Sequence, residues 1–460
     1  MEDGRDVAAF LAALPSETLS PELIALRDLD AVVDLAYHWP VVHVTQIPVQ
    51  YARLGMAALP TFKRVYVDAG FTALDWLDAK LPPKMPVTLV IDQAVSGAAS
   101  AFAYVWGNRI TSVIAKGHEV HPDPIPDLLG RCVNVQSVKI AHATMPVDAA
   151  AYVAAIPLQY LHTLDVHVTA SGALDTSGLV AWLHGPNATS LTLSCDSVSN
   201  PTSLVAAIEA CATLSYLDLD DASNVQDALS TSPFVLEHVG VLTQSQWSDT
   251  YADILTKLRP GHVRSFLFEK KLGDRLVLPH VVDALGECPQ LEVVGFIRVH
   301  IPRISTFEDP RDVLTIVRWL STSRHLASVD LDGTVLGREG ALELARTLPA
   351  WMLRGLETLQ LRGTGLNDED AVVLAIALAS GTNRRPLTID LTGNELTIAS
   401  APVLLTMLGA SRNVTLRLDG PFVLTGQDVL CDLVRVHSLD HSVPGRFSSP
   451  SHVSSLWHSI

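Results

Sequence analysis

The chain has 460 residues, 48% of them hydrophobic and 18% charged, a composition that excludes extended disorder and requires a large buried core. Its 32 Lys and Arg against 49 Asp and Glu leave a net charge of −17. That balance repels phosphate backbones, so nucleic acid is not the expected partner, while a protein with a basic surface stays compatible with it. The five cysteines form no CxxC pair, which argues against a zinc site or a redox motif and for buried free thiols in a reducing compartment.

In chain order, residues 1–38 read as two helices, Asp6 to Leu14 and Glu22 to Tyr37. Ser20-Pro21 opens the second, a capping hydroxyl ahead of a residue whose φ is preset. Such helices would close the apolar end of a stacked array. The same stretch carries Leu14-Pro15, Leu19, the run Leu29 to Leu35 and Trp39, and so resembles an F-box. That resemblance implies that residues 1–38 bind the adaptor subunit of a cullin-type ubiquitin ligase while the following residues hold a substrate. Cap and F-box both stay open at this stage.

Residues 39–424 repeat. Strand centres fall at Val42, Val65, Leu89, Val113, Val138, Leu164, Leu191, Leu217, Val239, Phe266, Val294, Val329, Leu359, Ile389 and Leu416. By subtraction they lie 22 to 30 residues apart, except for a gap of 35 before Val329, where Ile301 to Pro310 reads as an inserted loop. About 15 strand–turn–helix units with this period make a solenoid whose parallel strands alternate buried and exposed side chains. At ~4.8 Å between strands the sheet would run about 70 Å, room for a whole protein domain.

The clearest units follow L-x-x-L-x-L-x-x-N-x-L. They are Leu326, Val329, Leu331, Thr334, Leu336; then Leu356, Leu359, Leu361, Thr364, Leu366; then Ile389, Leu391, Asn394, Leu396. The slot residue Asn394, or Thr334 and Thr364 in its place, should hydrogen-bond backbone groups that the turn leaves unpaired. Helices are predicted from Leu336 to Leu348 and from Leu366 to Leu378, the latter with Asn367 and Asp368 where an N-cap belongs. Residues 326–396 resemble the ribonuclease-inhibitor-like subfamily of leucine-rich repeats. The resemblance implies an α/β horseshoe with a concave parallel sheet and convex helices. Ala143, Gly70 and Asp196 occupy the slot elsewhere and depart from the pattern. Residues 425–440, with an amphipathic run from Gln427 to Leu439, are predicted to cap the far end, and 441–460, rich in Ser, Pro and His, to be a disordered tail.

No phosphate-binding loop, dinucleotide fingerprint, HExxH or GxSxG is present, so the chain is not expected to be an enzyme, and no cofactor, metal or catalytic residue is expected. His118 and His121 have ligand spacing but sit beside Pro122 and Pro124 in a loop with no third ligand near. Asp218 with Asp220, and Asp330 with Asp332, lie two apart on strands and so share a face; they read as solvated repeat positions rather than an acid–base pair. The exposed strand positions hold ten acids (Asp68, Asp92, Asp165, Asp218, Asp220, Glu269, Asp330, Asp332, Asp390, Asp419) against five bases (Arg64, Lys116, Lys139, Arg362, Arg417). The expected function is therefore a protein-interaction scaffold. Its candidate contacts are Tyr66, Asp68, Asp165, His167, Tyr216, Asp218, Asp220, Glu269, Asp330, Asp332, Arg362 and Asp390. The alternatives are the F-box-type substrate receptor and, because the subfamily is similar to that of the Ran GTPase activator, a GTPase-activating protein. The acidic start and the most apolar window, the nine residues Ala371 to Ala379, argue against a leader or a membrane span and for a cytoplasmic or nuclear location.

Overall fold

The structure is a computed structural model that describes residues 4–68, 81–82, 85–91, 104–116, 124–143, 146–168, 171–220, 222–233, 236–244, 254, 257–269, 285–297, 311–411 and 413–418. The chain forms two compact units, Met1–Ser215 with Leu219–Leu229, and Tyr216–Asp218 with Ser230–Ile460.

Unit 1 opens with helices α1 (Gly4–Ala13), α2 (Pro21–Asp30) and α3 (Leu35–His38). Ser20 caps α2, its hydroxyl accepting from the Leu23 amide, with Pro21 in the first turn. The second helix expected from the sequence is thus two. Asp30 Oδ1 accepts from the Leu35 amide at 3.1 Å, which restarts the chain after the turn at Ala31–Asp34. α2 packs on α4 (Ala52–Ala58) with Ala25, Leu26 and Leu29 buried.

The strands of unit 1 are β1 (Val41–His43), β2 (Arg64–Asp68), β3 (Val87–Ile91), β4 (Ile110–Lys116), β5 (Ser137–Ala143), β6 (Thr163–Val168) and β8 (Ser190–Ser194), each parallel to the next. Helices α5 (Pro124–Arg131), α6 (Pro146–Ala155), α7 (Ser177–Leu183) and α8 (Pro201–Ala210) alternate with the later strands, and α9 (Ser223–Thr231) follows. Leu89, Val113, Val138, Leu164 and Leu191 stand in register across five strands, all at 0% exposure. Leu89 faces Val67, not Val65. A side ladder joins β7 (Ala173–Leu174) to β9 (Ser197–Val198). Beyond it the Asn224 amide imitates a further strand: Oδ1 accepts from the Val198 amide at 3.2 Å and Nδ2 donates to its carbonyl at 2.9 Å. Strand β10 (Tyr216–Asp220) carries the chain onward.

Unit 2 continues from the first residues of β10 with β11 (Val241–Gln244), β12 (Ser265–Glu269), β13 (Val293–Ile297), β14 (Ser328–Asp330), β15 (Thr358–Gln360), β16 (Leu387–Asp390) and β17 (Val414–Arg417), all parallel. Helices α10 (Arg311–Thr322), α11 (Gly337–Arg354), α12 (Asp368–Ser380) and α13 (Ala401–Ala410) pack side by side. The register runs Leu217, Leu242, Phe266, Val294, Val329, Leu359, Ile389, Leu416. Val239 is therefore not a strand centre; it lies before β11, and Leu242 takes its place. α11 runs six residues past the predicted end and stops at Gly355, whose φ of 107° suits glycine.

The slot residues bond as the repeat pattern requires. Asn394 Nδ2 donates to the Leu361 and Leu391 carbonyls at 2.7 and 2.9 Å, and its Oδ1 accepts from the Leu366 amide and the Thr364 hydroxyl at 3.1 Å each. Thr334 Oγ1 donates to the Phe296 carbonyl at 2.5 Å. Asn367 caps α12 in a reciprocal box with Asp370, and Arg338 from the preceding repeat reaches Asp370 at 2.9 Å. The inserted loop 301–310, the capping segment 425–440 and the tail 441–460 lie outside the described residues.

Candidate functional site

The polar face of each sheet is built by the strand alternation, in which apolar residues turn inward and their neighbours outward. β10 shows it directly: Leu217 and Leu219 are buried, while Tyr216, Asp218 and Asp220 are half-exposed on the opposite side.

In unit 1, His43 and Tyr66 are paired in register on β1 and β2, with ring centroids 4.7 Å apart. Beside them Thr45 Oγ1 donates to Asp68 Oδ2 at 2.5 Å. His43 and Thr45 were not among the residues singled out from sequence, although His43 is the outward residue of Val42-His43-Val44 and the alternation that picked out Tyr66 applies to it equally; Thr45 lies beyond that pattern. The face closes at β3, where Val87 through Ile91 are all buried. Val-Thr-Leu-Val-Ile is apolar except at Thr88, which is itself fully buried, a composition of the kind that fills a strand covered on both sides.

Farther along, Lys139, Asp165 and His167 meet. Lys139 and Asp165 are in register on β5 and β6, with Nζ 2.7 Å from Oδ2. His167 Nε2 lies 2.6 Å from Asp165 Oδ1. Burial pushes the Asp165 carboxyl up, but the contacts with His167 and Lys139 outweigh it and hold the group below the usual carboxylate range. A depressed folded pKa adds stability above the unfolded value of about 4, and that contribution is lost as pH falls through the folded value. Urea unfolding of Asp165→Asn and the parent should therefore differ most at neutral pH and converge in acid. A difference that does not change with pH would contradict the pairing. Next on the face, Ser194 Oγ donates to Asp220 Oδ2 at 3.3 Å.

In unit 2 one row of register partners reads Asp218, Thr243, Leu267, Gly295, Asp330, Gln360, Asp390, Arg417, with Asp218, Leu267, Asp330, Gln360 and Asp390 half-exposed and Arg417 exposed. Gly295 makes room there for Leu267, since a Cβ would sit 2.1 Å from its Cδ1. Two of the acids also close turns. Asp330 Oδ1 accepts from the Asp332 amide at 2.9 Å, and Asp390 Oδ1 accepts from the Thr392 amide and hydroxyl at 3.0 and 2.6 Å. Asp332 therefore does not share a strand face with Asp330: β14 ends at Asp330, and Asp332 belongs to the turn completed by Gly333 at φ 69°. Arg362 is exposed in the matching turn ahead of Gly363. Arg417 Nη1 approaches Asp390 Oδ2 at 4.0 Å. Glu269 stands at the end of β12, but its side chain, like those of Lys116 and the whole of Asp92 and Asp419, lies outside what the structure describes; so do His118 and His121.

Among the described residues, no cluster of three His, Cys, Asp or Glu is arranged to hold a metal ion, and no helix is long and apolar enough to cross a membrane. Burial pushes the Cys132 thiol up to about 12, and burial with the neighbouring Glu287 pushes Cys288 up to about 11. Neither is a thiolate at neutral pH.

No family model matches the chain, and no curated protein matches it. Among solved structures 64 chains match. One is the crystal structure of a TLR13–ssRNA13 complex, 13% identical, with a TM-score of 0.37 over 78% of this chain and 50% of that one. This chain thus spans half the length of that protein.

Proposed function

We propose that the chain is a leucine-rich-repeat scaffold that receives a folded protein with a basic surface on the polar face of its sheet. The observation that carries this reading is the in-register row of unit 2, in which Asp218, Asp330 and Asp390 recur on strands whose other side is buried. Half-exposed carboxylates at three of the eight positions of this row, against the single base Arg417 at its end, give the row an acidic bias, and an acidic face steers basic partners into register. The horseshoe curvature with this face on the inside, and the ribonuclease-inhibitor-like subfamily, belong to the same proposal. Helices α1–α3 are proposed to cap the first repeat, supported by the packing of α2 on α4. Under the F-box reading, residues 1–38 would instead retain an adaptor subunit.

The test must remove charge without breaking the turns. Asparagine keeps an accepting Oδ1 where Asp330 and Asp390 hold backbone amides. The threefold variant Asp218→Asn, Asp330→Asn, Asp390→Asn should keep its thermal transition. Its capture of the cognate partner from native lysate should fall about tenfold or more, with a flatter salt dependence. Undiminished capture would sink the acidic-face reading.

A further inference from the structure

The helices of unit 2 carry a second surface, on their solvent side. Strands β14, β15 and β16 advance by 30 residues per repeat, as the pairing of Val329, Leu359 and Ile389 shows. Leu342 on α11, Val372 on α12 and Pro402 on α13 are therefore equivalent positions on adjacent helices. Leu342 is 44% exposed, Val372 41% and Ile376, one turn on, 63%. α12 reads Asp-Glu-Asp-Ala-Val-Val-Leu-Ala-Ile-Ala-Leu-Ala-Ser, apolar around its whole circumference after the first turn. A helix of that kind is normally covered on every side, and contiguous exposed apolar surface marks a contact site.

The charges at its two ends indicate what covers it. The N-terminal turn is acidic, and Glu369 stays 81% exposed although Arg338 lies 3.6 Å away. Past the C-terminal end stand Arg384 and Arg385, both exposed; Arg385 is engaged by Glu357. A ridge with an apolar centre, an acid at one end and a base at the other is complementary to itself turned end for end. A twofold axis between Val372 and Ile376 sets each Val372 against the other copy's Ile376 and each Glu369 against Ala379 in the last turn of the other copy's helix, the end beyond which Arg384 stands. This is an isologous contact, the commonest way in which identical chains associate.

We propose that the outer face of α12 is a homodimer interface, occupied by a second, antiparallel copy of this chain. Sedimentation of the full-length protein across micromolar concentrations should show a species of twice the 49.5 kDa chain mass. Ile376→Glu, at a solvent-facing position, should leave the circular dichroism spectrum unchanged and raise the dimer dissociation constant about tenfold or more. Glu369→Arg and Arg384→Glu should each weaken the dimer, and the double exchange should restore it. A chain that stays monomeric throughout, a dimer indifferent to Ile376→Glu, or a double exchange that fails to restore association would each overturn the proposal; the last outcome would assign the ridge to a different partner.

Discussion

Trp182→Ala is expected to destabilise the repeats around β6 by about 4 kcal/mol, the usual cost of deleting a fully buried indole. Trp182 sits on α7 at 1% exposure, and its Nε1 donates to the Leu161 carbonyl at 2.9 Å. One side chain thus fills the space between helix and sheet and satisfies a backbone acceptor just ahead of β6. Trp182→Phe separates the two roles. It keeps much of the volume and strands the Leu161 carbonyl, so its cost should be about 1–2 kcal/mol. Because a repeat contacts mainly its neighbours, hydrogen exchange should accelerate in β5, β6 and β8 and stay unchanged in β15–β17. Urea unfolding with site-resolved exchange checks both; equal costs for the two variants would contradict the packing described.

Asn394→Ala should cost about 3 kcal/mol, because it removes one side chain from four hydrogen bonds and leaves backbone groups of two repeats unpaired. Asn394→Asp should be no better: a carboxylate cannot donate to the Leu361 and Leu391 carbonyls and is repelled by them. Asn394→Thr should recover part of the loss, since Thr364 in the same slot donates to the Leu361 carbonyl at 2.8 Å. Thermal melts ranking Thr above Ala and Asp would support the ladder. A melt for Asn394→Ala matching that of the parent would show that these bonds contribute nothing net.

The ladder was legible because few side chains suit the turn and because L-x-L places Leu359 and Leu361, or Ile389 and Leu391, unambiguously inward. Val239 misled because it and Leu242 are both apolar and three residues apart. The structural register gives intervals of 25 and 24 residues from Leu217 to Leu242 to Phe266, more even than the 22 and 27 obtained through Val239. Evenness of period was the missed signal. The face was harder to read. An L-x-L pattern says that Asp330 and Asp390 point outward but not that each bends the chain behind it. A signal was present, since an acid followed three residues later by glycine, as in Asp330–Gly333 and Asp390–Gly393, marks a turn. Nor does alternation reveal that β3 is covered on both sides, or that Lys139, Asp165 and His167 converge. Those features depend on which strands become neighbours and in what register.

The most direct test of a binding role for the sheet face is carboxyl footprinting of the protein free and in complex with its captured partner. Modification of Asp218, Asp330 and Asp390 should fall on binding, while Glu339 and Glu369 on the helical side react equally in both states. Protection confined to the helical side, with the sheet carboxylates still open to reagent, would contradict the account.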